Sequence, residues 1–450
     1  MNAVADSPPL LDLTSVRAAI AGGELPQTAY RQALKRASAT ILNRFQPQLP
    51  VAPLVRARTR LVEQVLEAVW EDLERPFPDA IAMVAVGGFG RGELHPYSDI
   101  DLLLLLESQE TPQVEEWLRQ FVTFLWDIGL EVGHSVRTVQ ECVTEAIEDI
   151  TIATNLMEAR LLAGSRSLFN DMVHGTGPEF VWPGNSFFEA KCLEQKARYR
   201  KYDDTAYKLE PNLKEGPGGL RDIQTFGWVV KRHYGCQTLH GLVEVGFLTE
   251  DEYQTLEASQ EFLWKVRFVL HRLNSRREDR LLFDYQRAAA EQMGYRDQDF
   301  QMGVERFMQA YYRTILQVSR LNEMLLQLFI ERIGQRAPVS EPVEINRRFK
   351  SVNSYLEVTD PRVFARSPLA LLEVFLLMQQ HPELQGVGAG TIRLIRDNVH
   401  RIDQNFRNDL GARTLFMEIL RQPRGITHEL RRMNRYGILA AYLPAFGNIV

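Results

Sequence analysis

Gly87-Gly88-Phe89-Gly90-Arg91-Gly92-Glu93-Leu94-His95-Pro96-Tyr97-Ser98-Asp99-Ile100-Asp101, followed by five leucines at 102–106, is the stretch that decides how this chain is read. Ahead of it, the wholly apolar residues 81–86 predict a strand that runs into a glycine turn. The leucine run predicts a second strand, with two aspartates at its head. Side chains at i and i+2 of a strand point to the same face. Asp99 and Asp101 are therefore expected side by side, next to a loop rich in backbone N–H groups. Carboxylates suit a hard divalent cation and backbone amides suit phosphate oxygens, so the pattern fits a metal carrying a nucleoside triphosphate.

Two other readings compete. A dinucleotide-binding turn would need its third glycine three residues after the second and a helix next; here Gly92 follows Gly90 too soon and a strand comes next. A plain hairpin with solvated turn aspartates would not alternate them with Ile100 and Leu102 inside a buried strand. A charge pair at the head of such a strand is costly unless a cation compensates it. The Gly-Gly turn followed by Asp-x-Asp resembles the nucleotidyltransferases of the DNA polymerase β superfamily.

A chain of 450 residues is too long for one core and predicts about two to four domains. Its 45% hydrophobic and 24% charged content is that of a globular protein in water. No apolar run reaches membrane-spanning length, and no basic region followed by an apolar core opens the chain. Cys142, Cys192 and Cys236 are far apart and without a Cys-x-x-Cys pair. They read as reduced, buried thiols of a cytoplasmic protein and not as a zinc site. The formal net charge of −6 argues against a nucleic acid partner, which calls for a basic surface.

The expected fold is α+β: a small mixed sheet with helices, plus mostly helical domains. Residues 1–75 read as a helical region and 76–165 as the nucleotidyltransferase domain. There a helix is expected over 112–128 and a third strand over 130–137, and Thr138 and Glu141 form a capping box for the next helix. Residues 166–335 read as a helical domain, 336–344 as a proline-containing linker, and 345–450 as a further helical segment.

A second motif is Lys208-Leu209-Glu210-Pro211-Asn212-Leu213-Lys214-Glu215-Gly216-Pro217-Gly218-Gly219-Leu220-Arg221-Asp222-Ile223-Gln224. Its Gly-Pro-Gly-Gly enforces an irregular loop before a helix, with Asp222 in the first turn, where the dipole favours a carboxylate. Lys214 and Arg221 beside the glycines are candidates for phosphate or acceptor contact. The loop is expected to border the active cleft. The basic run over 191–201 reads equally well as a solvated face.

Together the two motifs resemble the bifunctional PII uridylyltransferase/uridylyl-removing family of bacterial nitrogen control. Glutamine synthetase adenylyltransferase carries both in variant form. The phrase Gly129-Leu130-Glu131-Val132-Gly133-His134-Ser135-Val136-Arg137-Thr138 favours the former, since the relative has an Asp-x-Arg-Leu-Arg-Pro-like strand at that point. The resemblance implies transfer of UMP from UTP to a tyrosine of PII, releasing pyrophosphate, with Mg2+ (Mn2+ as the alternative) held by Asp99 and Asp101. It implies nucleotide contacts from Gly87, Gly88, Gly90, Arg91, Ser98, Lys214 and Arg221. A third carboxylate or a base is expected from a neighbouring segment, the candidates being Glu131, Glu158 and His134. The family also carries an HD hydrolase domain and glutamine-sensing ACT domains. No His-Asp dipeptide occurs here, so the chain is read as the transferase half, without uridylyl-removing activity. Protein adenylyl transfer and a non-catalytic nucleotide-binding regulator are the rival functions.

Overall fold

A computed structural model describes residues 11–73, 80–109, 111–202, 208–236, 238–298, 300–334 and 341–447. Residues 336–340 of the expected linker and the last three residues lie outside these. The chain begins with helices α1 (Leu13–Ala21), α2 (Pro26–Asn43) and α3 (Ala52–Asp72). The α3 side chains Val55, Leu61, Val62, Val65, Leu66 and Val69 recur at helical spacing and are all buried.

The first sheet is built from β1 (Ile81–Ala85), a single helical turn α4 (Gly87–Gly90), β2 (Ile100–Leu106), α5 (Pro112–Asp127), β3 (Val132–Thr138), α6 (Val139–Glu148), α7 (Ile150–Met157) and β4 (Arg160–Gly164). The strand order is β3-β2-β1-β4, with β2 and β3 parallel and the other pairs antiparallel. Both faces are covered, which is why β1 and β2 read as unbroken apolar runs. Ile100, Leu102, Leu104 and Leu106 pack with α3 and α5, while Leu103 and Leu105 pack with α6 and α7. Asp101 belongs by alternation to the second face. Helix α5 is capped by Thr111, whose hydroxyl accepts from Val114 N, with Pro112 in the first turn. The capping box of Thr138 and Glu141 is present at α6.

Beyond α8 (Arg166–Gly175) the chain is dominated by α9 (Gly184–Lys201), α10 (Leu220–Tyr234), the short α11 (Gly241–Glu244), α12 (Glu250–Asn274), α13 (Phe283–Gln292) and α14 (Gly303–Gly334). Helices α12 to α14 share the core that covers the β2 face.

The reading of 345–450 as helical needs correction. A second four-stranded sheet is formed by β5 (Val343–Glu344), at the end of the expected linker, with β6 (Phe349–Val352), β7 (Tyr355–Val358) and β8 (Gly386–Val387) inside that segment. Its strands of two to four residues are too short for an alternation to stand out. The β6–β7 turn uses Asn353 and Ser354, both at positive φ (49° and 66°), as the tight turns between antiparallel strands require.

Candidate active site

The loop from Leu94 to Ser98 carries Asp99 to the head of β2, and its packing sets where that carboxylate goes. Leu94 N donates to Thr59 Oγ1 of α3 at 3.2 Å. His95 is 1% exposed, its ring 5.8 Å from Trp264 and 6.1 Å from His271, both on α12. Burial, reinforced by Arg267, holds the His95 pKa well below its ordinary value, so this ring is neutral. His271 donates from Nδ1 to the Pro96 carbonyl. The loop is thus clamped between the sheet domain and α12.

Asp101 sits over two glycines. A β-carbon on Gly87 would lie 3.1 Å from its Oδ2, and one on Gly133 of β3 would lie 3.4 Å from its Oδ1. Gly87 itself has φ +56°, a conformation glycine adopts without strain. Burial, then the charge of Asp99, raises the Asp101 pKa, opposed by Lys214, Arg277 and Arg91. Asp99 is half exposed and paired with Arg277, Nη1 to Oδ2, at 2.6 Å. Among the described residues no group of three or more His, Cys, Asp and Glu side chains forms a metal cage. Two carboxylates alone suit a divalent ion that completes its shell with phosphate oxygens and water.

The turn after β1 is held from behind. Arg160 of β4 donates to the carbonyls of Phe89 and Gly90 at the end of α4 (both 3.2 Å) and pairs with Glu63 of α3. Gly90 has a packing reason of its own: a β-carbon there would lie 2.0 Å from the Glu158 carbonyl oxygen. The Arg91 guanidinium lies near Gly88, 3.8 Å from where a β-carbon would be, and pairs with Glu93 at 2.8 Å. Ser98 Oγ is buried and has no hydrogen-bond partner among the described residues.

The three candidates for a third carboxylate or base separate. Glu131 is exposed and lines an open cleft with Asp99 and Gly133; its carbonyl accepts from Ile100 N at 3.0 Å. Glu158 does not join the aspartates. It is buried, 3.7 Å from Arg91 Nε and 3.9 Å from Lys231 Nζ, and lines a separate cavity of about 370 Å3 with Trp228. His134 is the register partner of Leu102, and its ring lies 6.0 Å from Trp126 of α5. Alternation therefore turns it away from Asp101. The segment holding Glu158 does reach the site, but through Asn155, whose Oδ1 is 3.5 Å from the same Gly87 β-carbon position. Asn155 was not singled out from the sequence.

The Gly-Pro-Gly-Gly loop precedes α10 and is tied to the link between α12 and α13. Leu213 N donates to the Asp279 carbonyl at 2.8 Å. Burial, with Arg267 and Arg221 adding to it, brings the Lys214 amine down to about 8. Arg221 is committed to Glu215 (3.0 Å) and Gln224 (3.1 Å) and lies over Trp228. The glycines themselves are packed tightly: a β-carbon on Gly218, at φ +76°, would lie 2.3 Å from the Ile315 carbonyl oxygen of α14. Asp222 is fully buried, accepting from Gly218 N (2.6 Å), Gln195 (3.0 Å), Arg198 and Tyr199 (both 2.5 Å). The basic run is accordingly not a solvated face at Arg198, nor at Lys191, which is 1% exposed and lies over Trp228.

A β3-β2-β1-β4 sheet with a Gly-Gly turn and paired aspartates is the architecture of a nucleotidyltransferase, and residues 66–157 match the family model described as a nucleotidyltransferase domain. Residues 186–326 match the model described as GlnD PII-uridylyltransferase, and 349–442 the uridylyltransferase GlnD third domain. Over 446 residues, 98% of the chain, it is 49% identical to a bifunctional uridylyltransferase/uridylyl-removing enzyme of Pseudomonas aeruginosa. Over 427 residues, 95% of the chain, it is 52% identical to the enzyme of that name from Nitrosococcus oceani. These matches cover 49% and 48% of the two relatives, so the chain spans about half the length of the curated relatives it matches. The chain is thus similar to GlnD uridylyltransferases along nearly all of its length. Among the described residues no helix is long and apolar enough to cross a membrane.

Proposed function

We propose that this chain transfers UMP from UTP to a tyrosine hydroxyl of the PII signalling protein, releasing pyrophosphate, in nitrogen-status signalling in the bacterial cytoplasm. The observation that carries the proposal is the Asp99–Asp101 pair beside the Gly87–Gly88 turn, in a chain 49% identical to a uridylyltransferase/uridylyl-removing enzyme and matching a PII-uridylyltransferase model.

Asp99 and Asp101 are the proposed ligands of Mg2+, with Mn2+ as the alternative. When bound, the ion would neutralise triphosphate charge and favour displacement at the α-phosphorus. Gly87 and Gly88 open α4, where backbone N–H groups lack helical partners and suit phosphate oxygens. Lys214 and Arg91 add positive charge on either side. Ser98, whose hydroxyl is buried, and Arg221, committed to Glu215, are further proposed residues of the nucleotide site. A phenol has a pKa near 10, so the acceptor must lose its proton as its oxygen bonds to phosphorus and the bond to the bridging oxygen breaks. Glu131, exposed in the cleft with Asp99, is the proposed proton acceptor.

The test is incubation with PII, Mg2+ and α-labelled UTP or ATP. Label on PII from UTP alone supports the reading; label from ATP alone would make the chain an adenylyltransferase, and none from either would remove the transferase function. Uridylylated PII incubated with the chain and Mn2+ is expected to keep its UMP, because no His-Asp pair is available for hydrolysis.

A further inference from the structure

Arg277 was not apparent from the sequence and is unused by the mechanism above. It lies in the link between α12 and α13, whose backbone is fixed on two sides. Leu213 N donates to the Asp279 carbonyl and Leu281 N to the Pro211 carbonyl, both at 2.8 Å. The Asp279 carboxylate is bound by Arg267 Nε at 2.6 Å and lies 3.5 Å from His271 Nε2. The base of Arg277 is thus tied both to the Lys214 loop and to the helix that seats His95.

Its side chain is the opposite. Arg277 is 46% exposed, and among the described residues its one hydrogen bond runs from Nη1 to Asp99 Oδ2, with Asp279 at 4.0 Å. A guanidinium has five N–H donors in a planar fork suited to two-point binding of phosphate, and nearly half of this side chain is open to solvent. An exposed ion pair of this kind contributes little to stability and is readily exchanged. A divalent ion on Asp99 competes for the same oxygens with twice the charge.

We propose that Arg277 is an exchangeable cation of the active site: it holds Asp99 while no metal is bound, and when the metal–nucleotide enters it turns onto the anionic oxygens of the triphosphate, binding the pyrophosphate portion. The inference rests on Asp99 and Asp101 being the metal ligands. Its signature is a pair of opposite shifts that a merely structural arginine would not produce. Without Arg277 the metal no longer competes for Asp99, whereas the triphosphate loses a charged two-point contact.

The experiment measures Mn2+ binding by electron paramagnetic resonance in the absence of nucleotide, and binding of α,β-methylene-UTP with Mg2+ by calorimetry. Arg277→Ala is expected to bind Mn2+ several-fold more tightly and the analogue about tenfold more weakly. Arg276→Ala, on the same link and paired among the described residues with Glu278 (3.5 Å), should change neither. Asp101→Asn separates the two claims. If it binds Mn2+ as well as the unaltered chain does, the metal site is elsewhere and the inference falls with it. If Asp101→Asn loses Mn2+ but Arg277→Ala fails to show both shifts, the exchange alone is overturned.

Discussion

The Asp101 carboxylate rests against Gly87: its Oδ2 would be 3.1 Å from a β-carbon there, and Gly87 holds φ +56°. The turn that would cradle phosphate and the carboxylate that would hold the metal are therefore one packed unit. Gly87→Ala should strain the turn by about 1–3 kcal/mol and push on the carboxylate. The expected outcome is a larger fractional loss of UMP transfer than thermal melting of the same variant explains. A variant that melts early but transfers normally per folded molecule would separate the turn from the chemistry.

The second motif has a different vulnerability. Whether or not the loop borders the cleft, Gly218 has a packing role, because a β-carbon there would meet the Ile315 carbonyl oxygen at 2.3 Å. Gly218→Val should cost on the order of 3 kcal/mol or more by strain and overpacking together. Chemical denaturation is the check, and an unchanged midpoint would contradict the packing account.

Asp222 is the hub of that loop. Replacing it with Ala would leave Arg198, which is 9% exposed, without its carboxylate. Removing one partner of a buried pair costs roughly 3–5 kcal/mol. Asp222→Ala should thus be among the most destabilising single changes in the helical region. A loss comparable to that of an exposed pair, such as Arg119 with Glu116, would show the network to be dispensable.

Lys214 predicts a pH dependence. Its folded-state pKa of about 8 lies below the ordinary 10.5, so its charged form is disfavoured by folding, and its contribution to stability improves as pH rises from about 8 toward 10.5. Triphosphate binding follows the opposite course, because the amine loses its charge over the same range. Affinity for α,β-methylene-UTP should fall as pH rises through about 8, and Lys214→Arg should flatten that fall. A flat profile in the unaltered chain would take Lys214 away from the nucleotide.

Much of the first sheet was legible in the sequence because its strands are buried on both faces and its helices carry sharp boundary signals at Thr111 and Thr138. Asp99 precedes the first residue of β2, so a period of two does not by itself fix its place, although its charge does reach Asp101. The second sheet was not legible, since β5 and β8 are two residues long and the β6–β7 turn uses Asn353 and Ser354 in place of glycine. Asn155 was hidden behind Glu158, a carboxylate three residues on that pairs with Arg91 and Lys231 instead. Arg277 lies 178 residues from Asp99. Only the docking of α12 on the His95 loop brings them together, and no local pattern encodes it.

The most direct test of the central claim is the rate of UMP transfer from α-labelled UTP to PII by Asp101→Asn, alongside its circular dichroism and melting temperature. With the helical regions folded as before, the rate should drop by at least about a hundredfold, since the carboxylate positions the charge that carries the displacement. Transfer near the unaltered rate would contradict the assignment of Asp101 and, with it, the active site described above.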